Sequence, residues 1–259
     1  MAVAREAIAG VVLAAGAGTR LRPLTLELPK ALCPVGNAPL VDWALARIEP
    51  HVAQRAVNVH GTAPALLTHV SDRAHPSVEH GERLGTAGAL GRLRSWIAGR
   101  AVLVHNADSF VDDDLVGLLA GWDGERPRLL VRTGEVAADF GTRRFLGVSL
   151  LPASVARTLP ATPCGLYPLV WKPAFDVGEL EFVEARGTAI DCGTAADYLR
   201  ANLHVSGGAS VVAPDAVVEG SITRCVVWPG AQVRADEVLV DTIRTPRHTV
   251  SGVAPAAPA

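Results

Sequence analysis

An apolar run, Val11-Val12-Leu13-Ala14-Ala15, leads directly into Gly16-Ala17-Gly18-Thr19-Arg20-Leu21-Arg22-Pro23 and then into Pro29-Lys30-Ala31-Leu32. No other stretch limits the fold as much. The run predicts a buried parallel strand. Gly16 and Gly18 let the backbone turn tightly and approach a ligand with no Cβ in the way. The N–H groups exposed by such a turn form an anion-binding concavity. Arg20 adds a planar fork suited to phosphate oxygens, and Lys30 adds a point charge. Strand, bare-backbone loop, Arg and Lys, in that order, describe a triphosphate cradle.

Two common phosphate motifs do not fit. A P-loop needs G-x-x-x-x-G-K-[ST], which is absent, and a dinucleotide fingerprint needs a third glycine where Leu21 stands. A lone G-x-G is more often an ordinary turn than a site, but the whole string is more specific. It resembles the signature of the sugar-phosphate nucleotidyltransferases, G-x-G-T-R-L-x-P-x-T-x-x-x-P-K. The match runs through Gly16, Gly18, Thr19, Arg20, Leu21, Pro23, Thr25, Pro29 and Lys30 in one register. The resemblance implies a Rossmann-like, GT-A-like nucleotide-binding fold. It also implies transfer of a nucleotidyl group from a nucleoside triphosphate to a sugar 1-phosphate, with release of pyrophosphate.

Bulk composition fits a globular protein with a sizeable core. The chain has 259 residues, 49% apolar and 19% charged, and a net charge of −2. That is room for one large domain, or one domain and a small appendage. No basic block interleaved with aromatics points to nucleic acid, and no apolar run approaches the ~18 residues that would span a membrane. Arg5 and Glu6 before a short apolar strand do not resemble a secretory leader. Cys33, Cys164, Cys192 and Cys225 have no C-x-x-C spacing, so free thiols in a reducing cytoplasm are expected and a zinc site is not. A homo-oligomer is left open.

Helix is expected over Pro39–Ile48 and within Leu84–Ile97. Strands are expected over Ala56–His60, Ala101–His105, Arg128–Arg132 and Phe145–Leu151. The acidic triplet Asp112-Asp113-Asp114 reads as the start of a helix, where negative charge suits the macrodipole. Alternating strands and helices to residue 200 predict an α/β fold, a doubly wound sheet of mixed or parallel strands. Beyond Ala209 the helical period disappears. Val212 to Val218 and Val227 to Val233 are six residues apart, as in a hexapeptide β-solenoid, although the middle interval is nine. A vestigial solenoid and an ordinary hairpin appendage are both open. The expected division is a catalytic domain at 1–205, a short β extension at 206–250 and a disordered tail at 251–259.

Three further elements resemble the family. Val104-His105-Asn106-Ala107-Asp108 resembles its strand followed by N-x-D, which implies that Asp108 binds a catalytic Mg²⁺. Asp191-Cys192-Gly193-Thr194 resembles its D-x-G-T element, which implies that Asp191 is the other metal carboxylate. Two carboxylates, phosphate oxygens and water are enough for Mg²⁺. Gly85-Thr86-Ala87-Gly88-Ala89-Leu90 resembles the nucleotide loop. Small residues there would let a base or ribose lie on backbone, although the same pattern also suits a tightly packed helix. This loop is most similar to the guanylyltransferase branch of mannose 1-phosphate type, with uridylyltransferases carrying related loops.

On this resemblance Leu13, Ala14, Ala15, Gly16, Gly18, Thr19, Arg20, Lys30, Gly85, Thr86 and Ala87 are expected at the nucleotide. Arg20, Lys30 and Asp108 carry the chemistry, and Asn106, Gly147 and Arg144 lie on the sugar side. One departure stands out. The family's Glu-Lys-Pro element before the strand containing Gly147 is absent, which leaves Arg143 or Arg144 to replace its lysine. Lys172-Pro173 falls after Gly147 and is expected on a helix. Two other functions stay open: a non-catalytic relative that senses a nucleotide sugar, and a glycosyltransferase on a similar fold.

Overall fold

The computed structural model describes residues 4–134 and 138–252. The tail expected at 251–259 therefore lies outside the described residues from Val253 onward. Two compact units make up the chain, one of residues 1–16 and 43–189, the other of 17–42 and 190–259.

The first unit is built on seven strands: β1 Ile8–Leu13, β2 Gln54–His60, β3 His75–Glu79, β4 Ala101–Asn106, β5 Arg128–Thr133, β6 Arg143–Leu151 and β7 Glu181–Glu184. Their order across the sheet is β7-β5-β6-β4-β1-β2-β3. All neighbours are parallel except β6, which runs antiparallel to both β4 and β5. The sheet is thus mixed and α/β, as the alternation of elements predicts.

Burial on both faces explains the continuous apolar runs of β1 and β4. One face packs Ala9, Val11, Val102 and Val104 beneath Ala87, Leu90, Ala156 and Trp171. These come from helices that include α3 Gly85–Arg92 and α4 Ala153–Thr158, after α1 Leu40–Ile48 and α2 Pro64–Val70. The other face meets Ile48 and Val52 at Gly10, where an added Cβ would lie 2.8 Å from Val52 Cγ2 and 3.0 Å from Ile48 Cδ1. Gly10 is therefore a packing glycine of the strand.

Boundaries differ from the sequence expectations in two places. Strand β1 ends at Leu13 rather than Ala15, because the Ala14 N–H donates to the Asn58 side chain (2.6 Å) and leaves the ladder. The acidic triplet does not open a long helix, since the helix after it is only Val116–Leu119. Asp112 instead pairs with Arg47 at 2.6 Å. Asp113 accepts the N–H groups of Leu115, Arg186 and Gly187 at 2.8–3.2 Å. Burial alone would raise the Asp113 carboxyl, but those donors and the Arg186 charge hold it below its ordinary range.

In the second unit, helix α5 Ala195–Val205 opens on Thr194, whose hydroxyl oxygen accepts the Asp197 N–H. Tyr198 donates to the Pro34 carbonyl and accepts from the Trp228 indole. The fully buried Asn202 amide oxygen takes the Gly36 N–H at 3.0 Å. The C-terminal strands pair in parallel: Val211 with Val226 and Val226 with Ile243, Val217 with Gln232, Ser221 with Val238. Val227, Ala231 and Val233 form a small buried core among these strands. A hairpin pairs antiparallel, as the last two described strands do, at Ile243 and Val250. Among the described residues, no helix is long and apolar enough to cross a membrane.

Candidate nucleotide and phosphate site

Strand register sets the first unit's site. Leu13 lies opposite both Asn58 and Asn106, so three carboxyl-terminal strand positions sit abreast. Ligands of open α/β sheets bind beyond such ends. A cavity of about 200 Å³ opens there, lined by Leu13, Ala15, Gly16, Asn58, Glu79, Arg83, Gly85, Thr86, Asn106 and Asp108. A Cβ on Gly16 would meet nothing within 4 Å, so the backbone at Gly16 is bare. Gly85 is left-handed, with φ of +69°, and its added Cβ would lie 2.5 Å from the Cys164 carbonyl oxygen. Thr86 accepts the Leu166 N–H.

Of the residues expected at the nucleotide, Leu13, Ala15, Gly16, Gly85 and Thr86 share this cavity with Asn106 and Asp108. Ala14 turns its N–H to Asn58, and Ala87 is fully buried with its N–H on the Cys164 carbonyl. Three lining residues escaped the sequence reading: Asn58, Glu79 and Arg83. The only signal was a polar residue inside the apolar Val57-Asn58-Val59 run. Gly147 has φ of +88°, and an added Cβ would lie 2.2 Å from Ser109 Oγ and 3.5 Å from Asn106 Cβ. It allows β6 to come close to a lining residue. Arg144 faces Arg132 in the β5–β6 register, while Arg143 stacks on Phe182 at 4.8 Å. Lys172 is held by Asp176 on its own helix.

His105, on β4 beside Asn106, is fully buried. Burial pushes its imidazole down to about 4, opposed by the Asn106 carbonyl bond and the Asp108 charge and assisted by the Arg47 charge. It is neutral at pH 7 and serves the core.

The second unit holds the cationic group. Gly18 is left-handed, with φ of +62°, and accepts the Thr25 hydroxyl on its carbonyl at 2.8 Å. Its added Cβ would lie 2.9 Å from Thr25 and 3.1 Å from Lys30. Glycine here therefore satisfies both backbone and packing. Thr19–Leu21 form a short 3₁₀ turn. The Arg20 guanidinium lies 3.5 Å and the Lys30 ammonium 3.7 Å from the two oxygens of Asp191. A Cβ on Gly193 would lie 2.8 Å from Arg20 Nη2, so the glycine of the D-x-G element makes room for that guanidinium. Two cations around one carboxylate leave a local positive excess, suited to phosphate. Lys30 is mostly buried and Arg20 mostly exposed.

Comparison with known proteins agrees with this geometry. Residues 9–136 match the nucleotidyl transferase family. The chain is 28% identical over 199 residues to N-acetylmuramate alpha-1-phosphate uridylyltransferase of Caulobacter vibrioides, covering 62% of this chain and 82% of that protein. It is 29% identical to mannose-1-phosphate guanylyltransferase of Mycobacterium tuberculosis, over 52% of this chain and 40% of the relative. Identity to the bifunctional protein GlmU of Methanococcus aeolicus is 33%, over 42% of this chain and 26% of the relative. The chain thus spans well under half of those last two relatives. The solved structure of HddC from Yersinia pseudotuberculosis shares the fold, with a TM-score of 0.61 at 18% identity, over 76% of this chain and 99% of that one. With the glycine–arginine–lysine string, the mixed sheet and the cavity at its strand ends, these likenesses support a sugar-phosphate nucleotidyltransferase family for the chain.

Proposed function

We propose that this protein converts a nucleoside triphosphate and a sugar 1-phosphate to a nucleotide sugar and pyrophosphate. The observation that carries this reading is the cavity lined by the backbone of the first glycine loop, the Gly85–Thr86 turn and Asp108. A phosphate oxygen of the sugar 1-phosphate attacks the α-phosphorus, and the bond from that phosphorus to the β-phosphate bridging oxygen breaks. Pyrophosphate leaves with the bond's electron pair, and configuration at phosphorus inverts. A phosphate monoester with its second pKa near ~6 is already ionised at neutral pH, so the nucleophile needs no general base. The difficulty is repulsion between polyanions. Arg20 and Lys30 neutralise charge on the triphosphate, and the bare backbone at Gly16 admits it closely.

Asp108 and Asp191 fit Mg²⁺ by donor type, since that ion takes one or two carboxylates and completes its shell with phosphate oxygens and water. Asp191 also carries adjacent cations, as a carboxylate beside phosphates would. When bound, Mg²⁺ supplies charge neutralisation on the transferring phosphoryl group. Arg143 or Arg144 takes the sugar-phosphate role of the absent lysine, with Arg144 preferred on the family resemblance.

The Gly85–Leu90 string favours GTP and a mannose 1-phosphate-like sugar, and the resemblance to the Mycobacterium relative supports it. The Caulobacter relative supports a second reading, uridylyl transfer to another sugar 1-phosphate. A cytoplasmic setting is proposed from the absence of C-x-x-C spacing among the four cysteines. Crossing GTP and UTP with mannose and amino-sugar 1-phosphates in a Mg²⁺-dependent pyrophosphate assay separates the two. Triphosphate binding without turnover over the whole panel would favour a nucleotide-sensing role instead.

A further inference from the structure

The nucleotide cavity contains a buried polar chain. Asn58 and Glu79 are 4% and 1% exposed. Asn58 Oδ1 accepts the Ala14 N–H at 2.6 Å, and its Nδ2 donates to Glu79 Oε1 at 2.8 Å. Glu79 Oε2 accepts the Leu84 N–H at 3.1 Å. Both ends of the chain are backbone donors, one immediately after Leu13 and the other immediately before Gly85. The chain therefore links the two backbone segments that line the cavity. Arg83 adds a link nearer the surface, its Nε donating to the Ala15 carbonyl at 2.9 Å.

Fixed donors at both ends dictate the chemistry between them. The Asn58 amide must turn its oxygen to Ala14 and its nitrogen to residue 79. Residue 79 must then accept twice, from the amide and from Leu84, and only a carboxylate does so. An amide at 79 would leave one donor facing another in either orientation. Resting on the proposed triphosphate reading, we propose that Asn58 and Glu79 are positioning residues. They set the spacing between the first glycine loop and the Gly85 turn, and thereby the affinity for the nucleotide.

The polarity argument makes a test that simple loss of packing cannot imitate. E79Q and N58D keep shape but each breaks the order, the first with facing donors and the second with facing carboxylates. The N58D/E79Q double variant restores it in reverse. Its carboxylate accepts from Ala14 and from the new amide, whose oxygen accepts from Leu84. Affinity for GTP and UTP with Mg²⁺ would be measured by titration calorimetry, alongside KM for the sugar 1-phosphate and the melting temperature. Each single variant is expected to weaken triphosphate binding about tenfold or more, with sugar-phosphate KM little changed. The double variant is expected to recover most of the loss. Unchanged triphosphate affinity in E79Q, or a double variant as weak as the sum of its parts, overturns the positioning role. So does a melting-temperature loss without an affinity loss. Where a single variant fails to fold, the double variant decides: restored folding and binding support the relay, and failure overturns it. Wild-type protein that binds neither triphosphate refutes the underlying functional reading, a result distinct from wild-type binding that E79Q shares.

Discussion

Substituting Gly88 by alanine sets two opposed effects of similar size against each other. Alanine in a helix interior is favoured over glycine by about 0.8–1 kcal/mol. Against that, a Cβ at Gly88 would lie 2.3 Å from the Thr162 carbonyl oxygen, with Leu84 Cβ at 3.0 Å. The oxygen is backbone, so relief requires helix α3 and the segment at Thr162 to part by about 1 Å. Overpacking costs about 1–3 kcal/mol, and a 2.3 Å approach to a backbone oxygen belongs in the upper part of that range, about 2–3 kcal/mol; the α3–segment interface also carries the Ala87 and Gly88 N–H bonds to the Cys164 carbonyl. Packing outweighs propensity, and Gly88→Ala is expected to destabilise by about 1–2 kcal/mol. For a unit of this size that is a melting-temperature drop of roughly 2–8 °C. Gly117→Ala is the control. It sits in the helix Val116–Leu119 with its nearest neighbour, Val183 Cγ1, at 3.9 Å. There the propensity gain stands alone, so the variant should be unchanged or stabilised by up to about 1 kcal/mol. Urea unfolding of both variants measures the difference. A Gly88→Ala protein as stable as the wild type would refute the reasoning.

Other consequences follow from single groups. Lys30→Met should lower kcat by about 10²–10³-fold with a smaller change in triphosphate KM, because its charge acts on the phosphates as they separate; steady-state kinetics checks this. Burial, opposed by the Lys30 charge and a backbone bond, pushes the Cys33 thiol up from 9.0 to about 12. The unfolded thiol then ionises first, so stability is intact below pH 9 and falls as pH rises toward 12. Between pH 8 and 10 the wild type should lose about 1.4 kcal/mol more than Cys33→Ala in urea titrations. Asp113 has its carboxyl held low, so its contribution is present above the ordinary value of 3.8 and is lost as pH falls below it. Asp113→Asn should cost about 1–3 kcal/mol at pH 7, with the gap to wild type closing under acid.

The strands of the first unit were legible because buried parallel strands write themselves as uninterrupted apolar runs. The glycine loop and the Arg20–Lys30–Asp191 cluster were legible because bare loops and paired charges need particular residue types at fixed spacing. Polar links between strands were not, since Asn58 and Glu79 acquire meaning only through the register that brings Leu13 beside Asn58. The small-residue helix yielded half its meaning. Gly85 and Thr86 line the cavity, whereas Gly88 and Gly91 face the carbonyls of Thr162 and Pro160. The packing reading holds for Gly88 and Gly91, and nucleotide binding at Gly85 and Thr86 is a proposal. Gly193 was read as part of a metal element, and the structure adds that its missing side chain accommodates Arg20. The direction of the C-terminal strands was undecided in sequence because valine spacing does not encode it, whereas the pairing of Val211 with Val226 is parallel.

Pyrophosphate release tests the central claim most directly, with Mg²⁺ and each of GTP, UTP, dTTP, CTP and ATP crossed with a panel of sugar 1-phosphates. The account predicts release that requires one triphosphate and one sugar phosphate together, that is abolished by chelation, and that falls sharply in Lys30→Met. Release from a triphosphate alone, or silence over the whole panel from folded wild-type protein, would contradict it.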